Sequence, residues 1–205
     1  MTLDRLRPLA SRAITPFVTT ADRVGLTPNA ITTLSVFTAA AGGYALVLGG
    51  SDPIWYAPAA VLVLITGFFD VLDGALARAT DAASDAGDFL DHVLDRYGDV
   101  LILGGLAIGA ERYVLGMLAL TGVLLTAYLG TQAEALGLDR IYGGLLGRAD
   151  ILVLVGVVAA LATVVNPVVY ELSLVEWTLV FLAVFTHVTA GQRFVWCWRA
   201  ITRES

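Results

Sequence analysis

Residues 70–95 read DVLDGALARATDAASDAGDFLDHVLD and place carboxylates inside a chain that is otherwise strongly apolar. Eight of the 18 acidic residues lie between Asp70 and Asp99. Ionised side chains are costly at membrane depth, and those that occur there usually mark a functional site. The stretch therefore decides the fold, which must bring these carboxylates together at a functional site.

The composition of the whole chain predicts a membrane protein. Of its 205 residues, 58% are hydrophobic and 15% are charged, and the mean hydropathy is +0.80. A soluble domain has about 45–50% apolar and about 25% charged residues. The single cysteine, Cys197, excludes an internal disulfide and a multi-cysteine zinc or iron–sulfur site. The net charge of −6 argues against nucleic acid as a partner.

Six apolar segments are long enough to cross a bilayer, because about 20 helical residues span the roughly 30 Å hydrocarbon layer. They are residues 30–50, 54–77, 89–109, 113–135, 151–170 and 174–195. We therefore predict an all-α integral membrane protein. A single domain covers residues 1–205, with a six-helix bundle at residues 30–196.

Residues 1–25 predict an amphipathic helix that lies in the membrane interface. Arginines alternate there with leucine and isoleucine, and no apolar core of signal-peptide length is present. Pro28 restricts Thr27 to extended backbone. The interfacial helix should therefore end before Thr27, and the first span should start after Pro28.

The arginines predict the orientation in the cell membrane. Six spans put both termini on one side, and ten of the 12 basic residues fall on that side. They are Arg5, Arg7, Arg12, Arg23, Arg78, Arg140, Arg148, Arg193, Arg199 and Arg203. Arg96 lies within a span and only Arg112 falls on the other side, so the positive-inside rule puts both termini and the acidic stretch at the cytoplasmic face.

The carboxylates are spaced to converge. Asp70 and Asp73 are three residues apart near the end of the second span, and Asp91 and Asp95 are four apart near the start of the third. Each pair lies on one helix face. A short turn makes the two helices antiparallel neighbours, so all four carboxylates meet at one depth.

Such a cluster needs positive charge, which divalent cations with oxygen ligands supply. Two cations that share carboxylates would form a site for phosphoryl or phosphodiester transfer. Gly74 leaves room for a ligand, and Arg78 is placed either to bind phosphate or to reach the interface. The alternatives are a cation- or proton-coupled transporter that uses the same carboxylates, and a non-catalytic membrane scaffold.

The pattern D-x-x-D-G-x-x-A-R-x8-G-x3-D-x3-D, complete from Asp70 to Asp95, resembles the motif of the CDP-alcohol phosphatidyltransferases. The chain looks closest to phosphatidylinositol-phosphate synthases and their archaeal ether-lipid relatives. The resemblance implies a CDP-activated lipid as donor, either CDP-diacylglycerol or CDP-archaeol. It also implies an alcohol acceptor, release of CMP, and a homodimer.

The resemblance further implies a role for each motif residue. Asp70 and Asp91 would bridge two Mg²⁺ or Mn²⁺ ions, Asp73 and Asp95 would complete their ligands, and Asp95 would be the general base. The CDP-lipid contacts would come from Asn29, Ala30, Ile31, Thr32, Gly74, Arg78 and Ser84.

The acceptor segment departs from the family pattern. The inositol-phosphate-type relatives carry a basic K-A-R-A-E-like segment after the fourth span. The corresponding residues here are Gly130-Thr131-Gln132-Ala133-Glu134, in which both basic residues are missing. The remaining acceptor candidates are Arg148, Arg140 and Gln132, with Arg193 available on the same side. Glycerol phosphate and inositol phosphate are the expected acceptors, and an uncharged or zwitterionic alcohol such as serine is an alternative.

Residues beside the motif have supporting roles. Asp88 and Asp99 share the face of Asp91 and Asp95, and each is expected to support the site or to pair with Arg96. Five glycines are assigned to close packing between helices. They are Gly67, Gly104, Gly105, Gly122 and Gly156.

Overall fold

The computed structural model describes residues 7–138 and 144–204. Its helices are α1 (Arg7–Arg23), α2 (Pro28–Gly49), α3 (Tyr56–Ala79), α4 (Asp85–Gly109), α5 (Tyr113–Ala135), α6 (Arg148–Ala162) and α7 (Leu174–Glu204). A short 3-10 helix, Pro53–Trp55, precedes α3. Strands β1 (Val168–Val169) and β2 (Leu172–Ser173) form a small antiparallel hairpin between α6 and α7. The all-α prediction is confirmed apart from this hairpin.

Local sequence explains where the helices that carry the site begin. Thr27 has extended backbone and its hydroxyl accepts a hydrogen bond from the Ala30 amide, with Pro28 at the first helical position. The Ser84 hydroxyl caps α4 in the same way, through the Gly87 amide at 3.1 Å. The predicted break before α2 is thus confirmed.

Within residues 7–138 and 144–204, four helical segments are long and apolar enough to cross a membrane: Pro28–Gly49, Pro53–Ala79, Tyr113–Ala135 and Leu174–Thr202. The other two predicted spans differ for separate reasons. Helix α4 carries acidic residues from its first turn to Asp99, and α6 has only 15 residues, about 22 Å in length.

The predicted bounds of the fifth span, residues 151–170, are wrong at the C-terminal end. Helix α6 stops at Ala162, and the chain then turns into the β1–β2 hairpin. Pro167 restricts Asn166 to non-helical backbone, and the Asn166 side chain accepts a hydrogen bond from the Leu174 amide instead. The apolar residues that follow Ala162 thus belong to a turn and not to the helix.

Two apolar clusters hold the helices together. The larger lies between α2, α3, α4, α5, α6 and α7, with Leu46, Val63, Ile102, Val155 and Leu179 almost fully buried. In the smaller, Ile14 and Ala21 of α1 pack with residues of α2 and α3. Phe17 of α1 meets Phe68 of α3 edge to face, with 5.0 Å between ring centroids. Helix α1 therefore covers the end of α3 that carries the acidic residues.

Close helix contacts depend on glycine where α2 crosses α4. A Cβ atom added to Gly105 would overlap the backbone carbonyl of Gly43, and one added to Gly43 would overlap that of Leu101. The expected packing role of Gly105, Gly122 and Gly156 is confirmed. For Gly104 the expectation is wrong, because an added Cβ would meet no atom within 4 Å.

Candidate active site

The acidic residues of α3 and α4 meet at one end of the bundle. Asp73 and Asp91 line one cavity, and Asp91 and Asp95 line a second, larger one. Asp70 and Asp95 both pair with the guanidinium of Arg148. The two helices therefore place their carboxylates at the same end of the bundle, and a shared metal site for all four stays a prediction.

Asp73 is held from α2. Its carboxylate is 5% exposed, and its Oδ2 accepts a hydrogen bond of 2.7 Å from the Thr32 hydroxyl. Thr32 lies in the first turns of α2 and is itself buried. A buried hydroxyl donor fixes the direction in which the other lone pairs of this carboxylate point.

Arg148, the first residue of α6, joins three helices at the acidic cluster. Its Nη1 pairs with Asp70 Oδ2 on α3 and lies 2.9 Å from Asp95 Oδ1 on α4. Its Nε donates to Asp99 Oδ1 at 2.9 Å. One cationic nitrogen therefore bridges carboxylates of both helices, which shows that Asp70 and Asp95 are within reach of a shared cation.

The donor set fits a hard divalent cation. Only carboxylate oxygens are offered, and Asp70 Oδ1 is buried without a hydrogen-bond partner. In the conformation of residues 7–138 and 144–204, no three His, Cys, Asp or Glu side chains converge on one point as ligands of a metal ion. Two of the four carboxylates point at Arg148 instead.

The smaller cavity has a volume of about 190 Å³ and lies against the starts of α2 and α4. Its lining includes five predicted CDP-lipid contacts: Asn29, Thr32, Gly74, Arg78 and Ser84. An added Cβ at Gly74 would lie 3.3 Å from Arg78 Nη1, so the missing side chain gives the guanidinium its place.

Two other predicted CDP-lipid contacts point elsewhere. The Ile31 side chain is 2% exposed and packs with Leu72 and Leu76 in the smaller apolar cluster. Ala30 is exposed, and its amide is used in the Thr27 cap. Neither residue lines the smaller cavity. The family resemblance implies contacts from all four residues 29–32. The helix directs only Asn29 and Thr32 towards the cavity.

The larger cavity, of about 480 Å³, lies beside Asp95 between α4, α5, α6 and α7. Arg96, Arg148 and Arg193 line it together with Thr126 and Thr131. Arg193 is 9% exposed and donates from Nη1 to the Thr126 carbonyl at 2.8 Å. This wall is strongly basic, although the basic residues of the α5 segment are absent.

Arg193 takes the space above Gly130. A Cβ added at Gly130 would lie 3.1 Å from Arg193 Nη1. Sequence reasoning gave Arg193 only as an available cation. The one signal for a stronger role is its place within the last apolar span, since an arginine there is rarely without function.

The other two acceptor candidates are not part of this cavity. The Gln132 side chain is exposed and does not line it. Arg140 lies outside the described residues. Of the expected supporting acids, Asp99 pairs with Arg96 at 3.0 Å, as predicted, and Asp88 lies 3.5 Å from His92.

Comparison with known proteins places this geometry in a family. The family model described as CDP-alcohol phosphatidyltransferase matches residues 25–189. The archaetidylinositol phosphate synthase of Methanothermobacter thermautotrophicus is 32% identical, with 97% of this chain and 95% of that protein covered. The phosphatidylinositol phosphate synthase of Mycobacterium marinum is 31% identical, over 94% of this chain and 82% of that protein.

Solved structures agree with the sequence comparison. The chain is similar to Mycobacterium tuberculosis phosphatidylinositol phosphate synthase with CDP-DAG bound, with a TM-score of 0.74 and 27% identity. That match covers 91% of this chain and 94% of the other. The same enzyme in complex with manganese and citrate also gives a TM-score of 0.74, over 90% and 88% of the two chains.

Proposed function

Because the chain belongs to the CDP-alcohol phosphatidyltransferase family, we propose that it transfers a lipid-phosphate group from a CDP-activated lipid to a phosphorylated alcohol and releases CMP. Membership makes it a membrane phosphotransferase of phospholipid biosynthesis. The observation that carries the finer proposal is the arrangement of the carboxylates of α3 and α4 between two cavities.

The smaller cavity is the proposed nucleotide site. Asn29, Thr32, Gly74, Arg78 and Ser84 line it, and a guanidinium beside a glycine suits a pyrophosphate. The CDP-DAG bound to the Mycobacterium tuberculosis enzyme supports a CDP-lipid as donor. A diacyl and an archaeol donor share this head group, so both belong to the proposal.

The larger cavity is the proposed acceptor site. Arg148 and Arg193 reach it from α6 and α7, and guanidinium groups bind phosphate through two parallel hydrogen bonds. An anionic acceptor suits this wall better than serine does. The names of the relatives favour inositol phosphate as that acceptor, with glycerol phosphate second.

The chemistry follows from the position of Asp95 beside the larger cavity. Its carboxylate takes the proton of the acceptor hydroxyl, and the oxygen attacks the phosphorus that bears the lipid. The phosphoanhydride bond breaks and CMP leaves. Asp70, Asp73, Asp91 and Asp95 would hold two Mg²⁺ or Mn²⁺ ions, which when bound offset the negative charge of the pyrophosphate. The manganese complex of the Mycobacterium tuberculosis enzyme supports such a metal.

The membrane placement is part of the same proposal. Helices α4 and α6 contribute Ile102 and Val155 to the core shared with the four apolar helices, which supports six crossing segments at residues 30–196. Of the interfacial helix predicted at residues 1–25, residues 7–25 then lie in the interface, whereas residues 1–6 are outside the described part of the chain. The site then faces the cytoplasm. We further propose that residues 1–205 form a single domain and that two copies of the chain assemble as a homodimer.

The direct test is CMP release by the purified chain with Mg²⁺, a CDP-lipid and a panel of acceptors. The panel contains inositol phosphate, glycerol phosphate, inositol and serine, each with a diacyl and an archaeol donor. We expect CMP with inositol phosphate, and none after the metal is removed with EDTA. Cation or proton flux into proteoliposomes without any CMP would instead support the transporter alternative, for which the comparisons give no support.

A further inference from the structure

Asp99 is a buried carboxylate without a part in the proposed chemistry. It lies one turn beyond Asp95 on α4 and is 4% exposed. Two arginines meet it, Arg96 at 3.0 Å from Oδ2 and Arg148 at 2.9 Å from Oδ1. Burial of an ionised carboxylate is costly unless the charge is paired. The two arginines supply that pairing, one at each carboxylate oxygen.

The contact between Asp99 and Arg148 uses only one of the guanidinium nitrogens. Arg148 Nε donates to Asp99 Oδ1 at 2.9 Å, which leaves the donors of both Nη atoms for other contacts. Nη1 is directed at the carboxylates of Asp70 and Asp95. Nη2 is buried and makes no hydrogen bond. Arg148 also lines the cavity of about 480 Å³ together with Arg96 and Arg193, and a wall of guanidinium groups suits an anionic ligand.

The backbone of α4 also makes room for this arrangement. A Cβ added at Gly98 would lie 3.2 Å from Arg148 Nη2. Gly98 and Asp99 are consecutive and both buried, so one residue provides the space and the next provides the charge.

We propose that Asp99 is a positioning residue that sets the affinity for the anionic acceptor by holding Arg148 through Nε. The inference rests on the proposed function, because it takes the larger cavity as the acceptor site. A long arginine side chain has many rotamers, and a fixed Nε contact removes most of them before the acceptor arrives. Without Asp99, the guanidinium turns fully to Asp70 and Asp95 and leaves the cavity.

The first experiment is a double-mutant cycle on the full chain in lipid nanodiscs. Asp99→Leu, Arg148→Met and the double variant are assayed for CMP release, with separate KM values for inositol phosphate and for the CDP-lipid. We expect Asp99→Leu to raise the acceptor KM by about 10- to 100-fold, the size of loss typical when a residue that orients a metal ligand is removed. The KM for the CDP-lipid should change by less than about twofold.

The cycle also shows whether Asp99 acts through Arg148. If it does, the double variant is no worse than Arg148→Met, because the two losses are not additive. Additive losses would overturn the proposal, and so would an equal rise in both KM values.

Variants that keep the fold protect the test against a misfolded Asp99→Leu. Asp99→Asn keeps an oxygen that accepts from Nε, so its acceptor KM should lie between those of the wild type and Asp99→Leu. Gly98→Ala keeps every charge but crowds Nη2, and it should raise the acceptor KM alone. An unchanged acceptor KM in both would reject the proposal. Glu176→Gln alters a carboxylate paired with Arg112 at the opposite end of the bundle, and serves as the matched control.

A binding measurement separates this inference from the proposed function. Inorganic phosphate should raise the Tm of the wild type and of Glu176→Gln, but not that of Arg148→Met or Asp99→Leu. If Asp99→Leu loses this protection by phosphate while the wild type releases no CMP with any acceptor, the proposed function is rejected. The inference that Asp99 supports an anion site at Arg148 then still holds. Turnover by the wild type with full protection in Asp99→Leu would reject the inference alone.

Discussion

Some side chains at this site are held in position by neighbouring side chains that take no part in the proposed reaction. The Thr32 hydroxyl, 2.7 Å from Asp73 Oδ2, joins the start of α2 to a proposed metal ligand on α3. Because Asp73 is 5% exposed, water has little access to replace that donor. The residue scale therefore predicts effects of Thr32 on metal binding.

Thr32→Val removes the hydroxyl and keeps the shape of the side chain. We expect the Mn²⁺ concentration for half-maximal CMP release to rise about tenfold, since partners of metal ligands commonly contribute that much. Thr32→Ser keeps the donor and is the matched control. An unchanged Mn²⁺ requirement, with a rise only in the KM for the CDP-lipid, would limit the role of Thr32 to the nucleotide site that it lines.

Asp95→Asn tests the proposed base. The amide has the size of the carboxylate but takes no proton, so CMP release should fall by at least about 100-fold. The CDP-lipid should still raise the Tm of the variant, because the smaller cavity does not include Asp95. Asp85→Asn, an exposed change on the same helix, controls for altered charge. Near-normal turnover by Asp95→Asn would contradict its role.

At the scale of helices, the α2–α4 crossing positions the site. Helix α4 carries Asp91 and Asp95, and it approaches α2 closely because Gly43 and Gly105 lack side chains at the contact. A change at this crossing therefore moves the carboxylates of α4 against those of α3.

Adjacent glycines of α4 provide a matched pair of variants. Gly105→Ala pushes a methyl group into the Gly43 carbonyl and should reduce stability by about 1–3 kcal/mol, as overpacked contacts do. CMP release should fall with it. Gly104→Ala meets nothing within 4 Å and should leave Tm and activity unchanged. The measurement is thermal unfolding in detergent together with CMP release, and equal effects of the two variants would show that the crossing is not tightly packed.

Across the whole molecule, both cavities open at the end formed by the starts of α2, α4 and α6 and the last turns of α3 and α5. This end also carries Arg78, Arg148 and Arg193, whereas the opposite turns contain Arg112. A donor with its tails in lipid and an acceptor from water can meet at such an end. The arginine distribution predicts that it is cytoplasmic.

Labelling with a membrane-impermeant maleimide tests this orientation. Cys197 is the only cysteine, so Cys197→Ser gives a clean background. Ser51→Cys and Thr80→Cys place one exposed thiol at each end of the bundle. In intact cells Ser51→Cys should be labelled, and Thr80→Cys only after permeabilisation. The reverse pattern would show that the site faces outward.

Most of the helices follow from sequence because their signals are local. Runs of about 20 apolar residues and the break at Pro28 act within a few residues, and α2, α3 and α5 fall close to their predicted bounds. The carboxylate pairs are equally local, since three- and four-residue spacings fix a shared helix face. The end of α6 was missed because the apolar run continues beyond it, whereas Pro167 does not allow the helix to continue.

Tertiary structure alone decided which distant residues complete the site. Arg148 meets Asp99 across 49 positions of sequence, and Arg193 meets the Thr126 carbonyl across 67. No spacing rule relates such residues, because their approach depends on how closely α4, α5, α6 and α7 pack. Sequence by itself determined the membrane class, the family motif and the acidic helices. The packing of those helices decided which arginines serve the carboxylates and the cavity, since a buried charge must find its partner in space and not along the chain.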